Sequence, residues 1–225
     1  MTDKSNDLLA FERPLIERGE IVVGLDEVGR GALAGPLTVG AVVLRELHAP
    51  PSALTDSKLL TPLRREKLVD PIKQWASAWS LGSVSSAEID EWGLRLALAV
   101  AATRAMEGLS VLPTFALIDG SFNLLDAPLD VKFGSSAPPE LRYANLPHST
   151  IVKGDQKCAS IAGASVLAKV ARDEVMTNLS SDFPGYGWDG NKGYGASAHL
   201  KALSELGTTP YHRASWNLPT YKGEE

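Results

Sequence analysis

Cysteine and histidine are scarce in this 225-residue chain, with one of the former and four of the latter. The lone thiol, Cys158, has no internal partner for a disulfide, which fits a reducing compartment. No Cys or His pair has the spacing of a zinc site, so a thiolate or imidazole metal centre finds no support. Long apolar runs are also missing: nothing approaches the roughly 18 consecutive residues of a membrane-spanning helix. The first seven residues are polar and lead into no apolar signal region, which argues against secretion. Internal repeats and low-complexity tracts are absent. Nor is there an excess of basic charge, since 22 Lys+Arg face 27 Asp+Glu for a net charge of −5. That balance speaks against a polyanion partner only weakly, because it is uneven. Residues 1–149 hold 14 basic and 19 acidic side chains, whereas residues 150–225 hold 8 of each.

What is present is an ordinary globular profile, 44% hydrophobic with a mean hydropathy of −0.04, enough for one core and not two. The chain is organised around residues 21–36, Ile-Val-Val-Gly-Leu-Asp-Glu-Val-Gly-Arg-Gly-Ala-Leu-Ala-Gly-Pro. A short apolar run ends in two adjacent carboxylates, Asp26 and Glu27, and then in a glycine-rich turn. A second apolar run, 37–44, is expected to pair back on it as a hairpin. Carboxylates at the end of a core strand are costly to desolvate unless a cation or a donor meets them. They are equally compatible with a plain turn cap.

Further along, Thr61-Pro62 signals a helix start, and 63–75 reads as a helix disturbed at Pro71. Residues 78–84 alternate as a strand, and Ser85 with Glu88 forms a capping-box pattern for a brief helix ending near Gly93. Residues 94–109 are strongly helical, with Arg95 and Arg104 off the apolar face. A buried strand, 115–118, stops at Asp119-Gly120, so a second core strand also ends in an acid followed by glycine. Sites gather at strand ends in α/β sheets. Residues 121–150 read as a loop or inserted hairpin, with a short strand suggested at 129–133. Asp155 precedes an alanine-rich helix, 158–179, either as its N-cap or as a further carboxylate at the strand ends. The last part mixes glycines with Phe183, Tyr186, Trp188, Tyr194 and Trp216 around one more helix at 198–206. Such a mixture suits a core or a surface that stacks on bases and sugars. The order of elements predicts one α/β domain with a helical C-terminal part.

Taken together, these residues resemble the bacterial ribonuclease HII family from Val23 to about Trp216. The resemblance rests on Gly24-Leu25-Asp26-Glu27-Val28-Gly29-Arg30-Gly31 with Gly35-Pro36, on Asp56-Ser57-Lys58, on Asp119-Gly120 and on Lys153-Gly154-Asp155. The segment from Ala164 to Asp173 and Lys192-Gly193-Tyr194-Gly195 complete it. It implies an RNase H-like mixed β-sheet flanked by helices, with a core over about 18–180 and a substrate-contacting helical segment over about 181–218, in one domain spanning 1–225. It implies an endonuclease that cuts the RNA strand of RNA–DNA hybrids and nicks on the 5′ side of ribonucleotides embedded in duplex DNA. The family's four acidic metal ligands fall on Asp26, Glu27, Asp119 and Asp155, and two Mg²⁺ or Mn²⁺ ions suit such hard oxygen donors. The ribose-reading element falls on Gly29, Arg30 and Gly31, and the stacking tyrosine on Tyr194.

Ser57, Lys58, Lys153, Lys169 and Arg172 are further expected substrate contacts, with Lys157, Lys192 and Arg213 as candidate phosphate ligands. His199 and His212 are expected to be structural or to face phosphate, not to be catalytic. The chain departs from the family pattern at Ser121, Gly163 and Ala196 and in a long 121–150 loop, and none of these removes a carboxylate. A cytoplasmic monomer without a membrane anchor is expected. Two other readings are a binding module that has lost catalysis, disfavoured by the four acids, and a DNA-cutting relative, disfavoured by Gly29-Arg30-Gly31. An extra N-terminal domain of the ribonuclease HIII kind has no room before Ile21.

Overall fold

A computed structural model describes residues 7–126 and 140–219 of the chain. The elements in order are α1 (Arg13–Ile16), β1 (Val22–Val28), β2 (Leu37–Leu44), α2 (Pro62–Trp75), β3 (Ala78–Val84), α3 (Ser86–Glu107), β4 (Phe115–Asp119), β5 (His148–Ile151), α4 (Ala159–Asp182), α5 (Trp188–Asn191) and α6 (Ser197–Leu206). Short 3₁₀ turns stand at Ser57–Leu59 and Gly154–Gln156. The five strands form one mixed sheet in the order β3-β2-β1-β4-β5. β1 is antiparallel to β2 and parallel to β4, so the organising stretch lies at the sheet's centre.

Alternation along β1 divides the core. Val23 and Leu25 face α3, in a cluster with Val39, Ala41, Ile89, Leu96 and Ile118. Val22 faces the other way, towards Ile161 of α4. On that same face stand Gly24 and Gly40, and a Cβ at either would lie 2.3 Å from α4 backbone, at Ser160 or Ala164. Two missing side chains therefore let α4 settle directly onto the sheet, and Asp26, paired in register with Gly40, is carried against it.

Three local expectations change. β1 does not stop at Leu25 but continues through both acids to Val28, because Glu27 and Val28 still find ladder partners in Val39 and Thr38. β5 is an unexpected strand: its sequence, His-Ser-Thr-Ile, has three exposed residues, and only pairing with β4 makes it extended. Asp155 is not an N-cap of α4, whose cap position is Cys158; it sits in the preceding 3₁₀ turn. The capping box at Ser85 forms as expected, and Gly93 (φ 72°, ψ 160°) breaks α3 into the anticipated brief first piece and a long second one. The strand suggested at 129–133 lies outside the described residues.

Candidate active site

The parallel register of β1 and β4 ends at Leu25 opposite Ile118. The next residues, Asp26 and Asp119, are thus delivered side by side at the roughly 4.8 Å separation of neighbouring strands. β5 continues the series: Ile151 pairs with Asp119, and the chain then turns through Lys153 (φ 57°) into the 3₁₀ turn that carries Asp155. The Gly154 N–H donates to Asp119 Oδ1 at 2.7 Å, tying that turn to the strand end. Three acids from three separate segments are therefore carried to one end of the sheet. Glu27 joins from the facing side of β1 and is met by Arg30 at 3.6 Å.

The electrostatics confirm that these groups feel one another. Burial pushes the Asp26 carboxyl up to about 8, with Asp119, Glu27 and Asp155 adding repulsion and Ser165 opposing it by a hydrogen bond. Burial, then the charges of Asp119 and Asp56, raise Asp155 to about 6, with Lys58 at 3.9 Å opposing. Glu27 is raised too, chiefly by burial, and Arg30 pulls it back. Each acid leans on a protein donor: Asp26 on the Glu27 N–H at 2.8 Å, Asp119 on Gly154, Glu27 on Arg30 and Asp155 on Lys58. Among the described residues, no three His, Cys, Asp or Glu groups already stand close enough together to grip an ion. The donor set, all hard carboxylate oxygen and electrostatically overloaded, nonetheless fits Mg²⁺ or Mn²⁺ and does not fit a thiolate metal.

A cleft of ≈ 400 Å³ opens beside Asp26 and Glu27, lined also by Gly29, Arg30, Gly31, Ser57, Lys58, Ser165, Lys169 and Tyr194; Asp119 and Asp155 are not among its walls. The structure thus gathers most of the expected residues into one place. Ser57 contributes from beneath, buried, with its hydroxyl 2.8 Å from that of Ser165. Lys169 is tied to Asp173 at 2.6 Å while still lining the cleft. Lys153 is exposed and lies outside the cleft walls.

Two arginines read as phosphate ligands are corrected by their surroundings. Arg172 is 1% exposed and donates to the carbonyls of Pro36 (2.7 Å), Lys192 (2.9 Å) and Ala34 (3.1 Å). Arg213 is fully buried and donates to the carbonyls of Arg30 (2.8 Å), Gly29 (2.5 Å) and Gly35 (3.4 Å). Between them the two guanidiniums brace the 29–36 loop from within, so neither is free for a phosphate. Gly29 owes its identity to this frame: its φ is +86°, and a Cβ would lie 2.2 Å from Arg172 Nε and 2.6 Å from the Pro36 carbonyl. At Gly31 a Cβ meets nothing within 4 Å, leaving that position open to a ligand.

The C-terminal segment is stitched to the same loop. Leu33 and Gly35 donate backbone N–H groups to Gly193 and Tyr211, both at 2.8 Å, and Arg213 N returns one to Leu33 at 2.9 Å. Tyr194, 37% exposed, accepts the Gly29 N–H at its hydroxyl (3.2 Å) and shows its ring to the cleft. Beneath it runs a buried relay. The Thr209 N–H donates to His212 Nδ1 (2.9 Å), which leaves the proton on Nε2 to reach His199 Nε2 (3.1 Å). His199 Nε2 also accepts from the Trp188 indole (3.1 Å), so His199 Nδ1–H donates to the Tyr194 carbonyl (2.9 Å). Both histidines are thus neutral core groups beneath the tyrosine. The bracing role of Arg213 and the position of Ser165 beside Asp26 had no local signal, because both depend on contacts across more than a hundred residues.

Comparison with known proteins shows the family and the fold. A family model described as ribonuclease HII matches residues 23–218. The ribonuclease HII of Streptomyces avermitilis is 43% identical over 197 residues, covering 88% of this chain and 77% of that one. Among solved structures, the RNase HII of the Archaeoglobus fulgidus PCNA:RNase HII complex superposes with a TM-score of 0.66 at 23% identity, over 90% of this chain and 98% of that one. Bst-RNase HIII in complex with Mn²⁺ gives a TM-score of 0.63 at 20% identity, over 88% of this chain and 68% of that one. With carboxylates, bracing arginines and tyrosine placed on this shared mixed-sheet fold, the chain belongs to the ribonuclease HII family and is a ribonuclease.

Proposed function

We propose that this enzyme hydrolyses the RNA strand of RNA–DNA hybrids and nicks on the 5′ side of ribonucleotides embedded in duplex DNA, leaving 5′-phosphate and 3′-hydroxyl ends. The observation that carries the reading is the delivery of Asp26, Asp119 and Asp155 to one sheet end from three segments, with Glu27 alongside. Asp26, Glu27, Asp119 and Asp155 would hold two divalent cations, Mg²⁺ or Mn²⁺. Such ions, when bound, activate the attacking water and stabilise the departing oxygen. By holding a cation, the four acids would be relieved of part of the burial penalty and mutual repulsion that now raise Asp26 and Asp155.

The remaining residues bind and discriminate. Gly31 leaves room for a ribose, and with the Gly29 N–H and the Gly29 and Arg30 carbonyls bonded within the protein, the Gly31 backbone is what the braced turn offers to the 2′-hydroxyl, the group that separates RNA from DNA. The Tyr194 ring, held at its hydroxyl by the Gly29 N–H and through its backbone carbonyl by His199, stacks on the neighbouring sugar. Lys58 and Lys169 meet phosphates at the cleft wall. The whole chain then acts as one ribonuclease HII domain, its 181–218 segment serving as the brace of the reading turn as well as a substrate contact. Cys158, buried and with its thiol pushed up by burial, fits a cytoplasmic place of action. The acting species is proposed to be a monomer.

The test is a labelled duplex carrying a single ribonucleotide, incubated with Mg²⁺ or Mn²⁺ and with EDTA. A nick 5′ to the ribonucleotide is expected, lost in EDTA and in Asp26→Asn. Equal cutting of an all-DNA duplex would refute the ribose-reading argument.

A further inference from the structure

Beside the cleft, two guanidiniums share one aromatic ring. The guanidinium carbon of Arg30 lies 4.5 Å from the Phe122 ring centroid, and that of Arg95 lies 5.0 Å from it. Phe122 follows Asp119 by three residues and is half-buried against the α3 core, so the ring is a fixed platform. Among the described residues, the only carboxylate within ion-pair distance of either cation is Glu27, at 3.6 Å from Arg30; Arg95 has none.

Among the described residues, the contacts of Arg95 therefore leave it unexplained. An exposed cation–π contact stabilises only weakly, and a second cation on the same ring repels the first. Helix energetics do not favour it either. Gly93 breaks α3, so Arg95 stands in the first turn of the long second piece, where a helix macrodipole disfavours positive charge. Side-chain chemistry supplies the missing reason, because a guanidinium held flat against a ring presents its planar fork to a phosphate with little further loss of freedom.

We propose that Arg95, set against Phe122 next to Arg30, is a phosphate-binding residue that extends the nucleic-acid track beyond the cleft and holds a backbone phosphodiester flanking the reacting one. This rests on the ribonuclease reading above. It makes Phe122 a positioning residue and Arg95 a binding residue.

Affinity for a fluorescein-labelled RNA–DNA hybrid, measured in EDTA from about 50 to 300 mM KCl, tests it. For wild type, log Kd should rise steeply with log[KCl]. Arg95→Gln should weaken binding roughly five-fold at the middle of that range and lower the slope by about 0.9, the loss of one phosphate contact. Arg95→Lys, which keeps the charge but not the fork, should keep the slope and lose part of the affinity. Phe122→Leu should weaken binding with the slope retained. An Arg95→Gln slope equal to that of a wild type that binds normally would overturn this inference while leaving the ribonuclease reading intact. A wild type with no salt-dependent hybrid binding either in EDTA or with Mg²⁺ present would instead overturn both.

Discussion

Replacing Asp26 by Asn should abolish cleavage and, in the absence of divalent ions, make the protein more stable. Asp26 is 5% exposed and shares the sheet end with three other carboxylates. Its carboxyl is pushed from 3.8 up to about 8, first by burial and then by Asp119, Glu27 and Asp155. A folded-state value above the unfolded one means that the folded chain binds the proton more tightly. Ionising Asp26 therefore costs stability, and the cost grows from about pH 4 to about pH 8 as the pH rises. Carried by one group alone, that shift corresponds to roughly 6 kcal/mol at pH 8. Neighbouring acids relax and share the burden, so a gain of about 2–3 kcal/mol on neutralisation is the sounder expectation. Asn is isosteric: its Oδ1 keeps the Glu27 N–H bond seen at 2.8 Å, and its Nδ2 donates to Ser165 in place of the bond now accepted from it. Urea unfolding in EDTA at pH 5, 6.5 and 8 reads the effect. The two proteins should be close at pH 5 and separate progressively in favour of Asp26→Asn as the pH rises. An Asn variant less stable than wild type at pH 8 would show that the cluster is not electrostatically strained, and the argument for a cation there would go with it.

Divalent ions should close that gap. At 100 times Kd, Mg²⁺ or Mn²⁺ contributes about 2.7 kcal/mol, or roughly 5–10 °C in Tm for a chain of this size; scanning calorimetry of Asp119→Asn should show little of that rise. Gly29→Ala should cost about 2–4 kcal/mol, because φ is +86° and the new Cβ would strike Arg172 and Pro36. Gly31→Ala, with nothing within 4 Å, should leave unfolding within about 0.5 kcal/mol of wild type while reducing cleavage at a single ribonucleotide. Burial, followed by the neighbouring His199, lowers His212 from 6.5 to about 4. A lowered histidine gives stability that is complete above pH 6.5 and is lost as the pH falls towards 4, about 2 kcal/mol of it by pH 5. Because Asp26 titrates in the opposite sense, the loss is read as the difference between wild type and His212→Asn across pH 7.5–5; a constant difference would mean that the His199–His212 relay does not hold the C-terminal segment.

Much of this molecule was legible before folding was considered. β3 was bounded by alternation alone, α2 by Thr61-Pro62, and the two pieces of α3 by the Ser85–Glu88 box and Gly93, because each of these signals acts within a few residues. Asp26, Glu27 and Asp119 stand out for a similar reason, as acids that end apolar runs, whereas Asp155, read either as a helix cap or as a further carboxylate, joins them as a ligand only through the resemblance to ribonuclease HII. What local pattern could not reveal is anything whose cause lies across the fold. β5 is extended only because β4 supplies its partners. Arg172 and Arg213 read as surface cations, yet the carbonyls of the 29–36 loop, more than 130 positions away in sequence, draw them inside. Gly24 and Gly40 are unremarkable letters until α4 backbone comes to rest on them. Residue type and short-range spacing specified the elements and the chemistry they can offer. Desolvation and long-range hydrogen bonding, which exist only once distant segments touch, decided which charges face the cleft and which hold its walls.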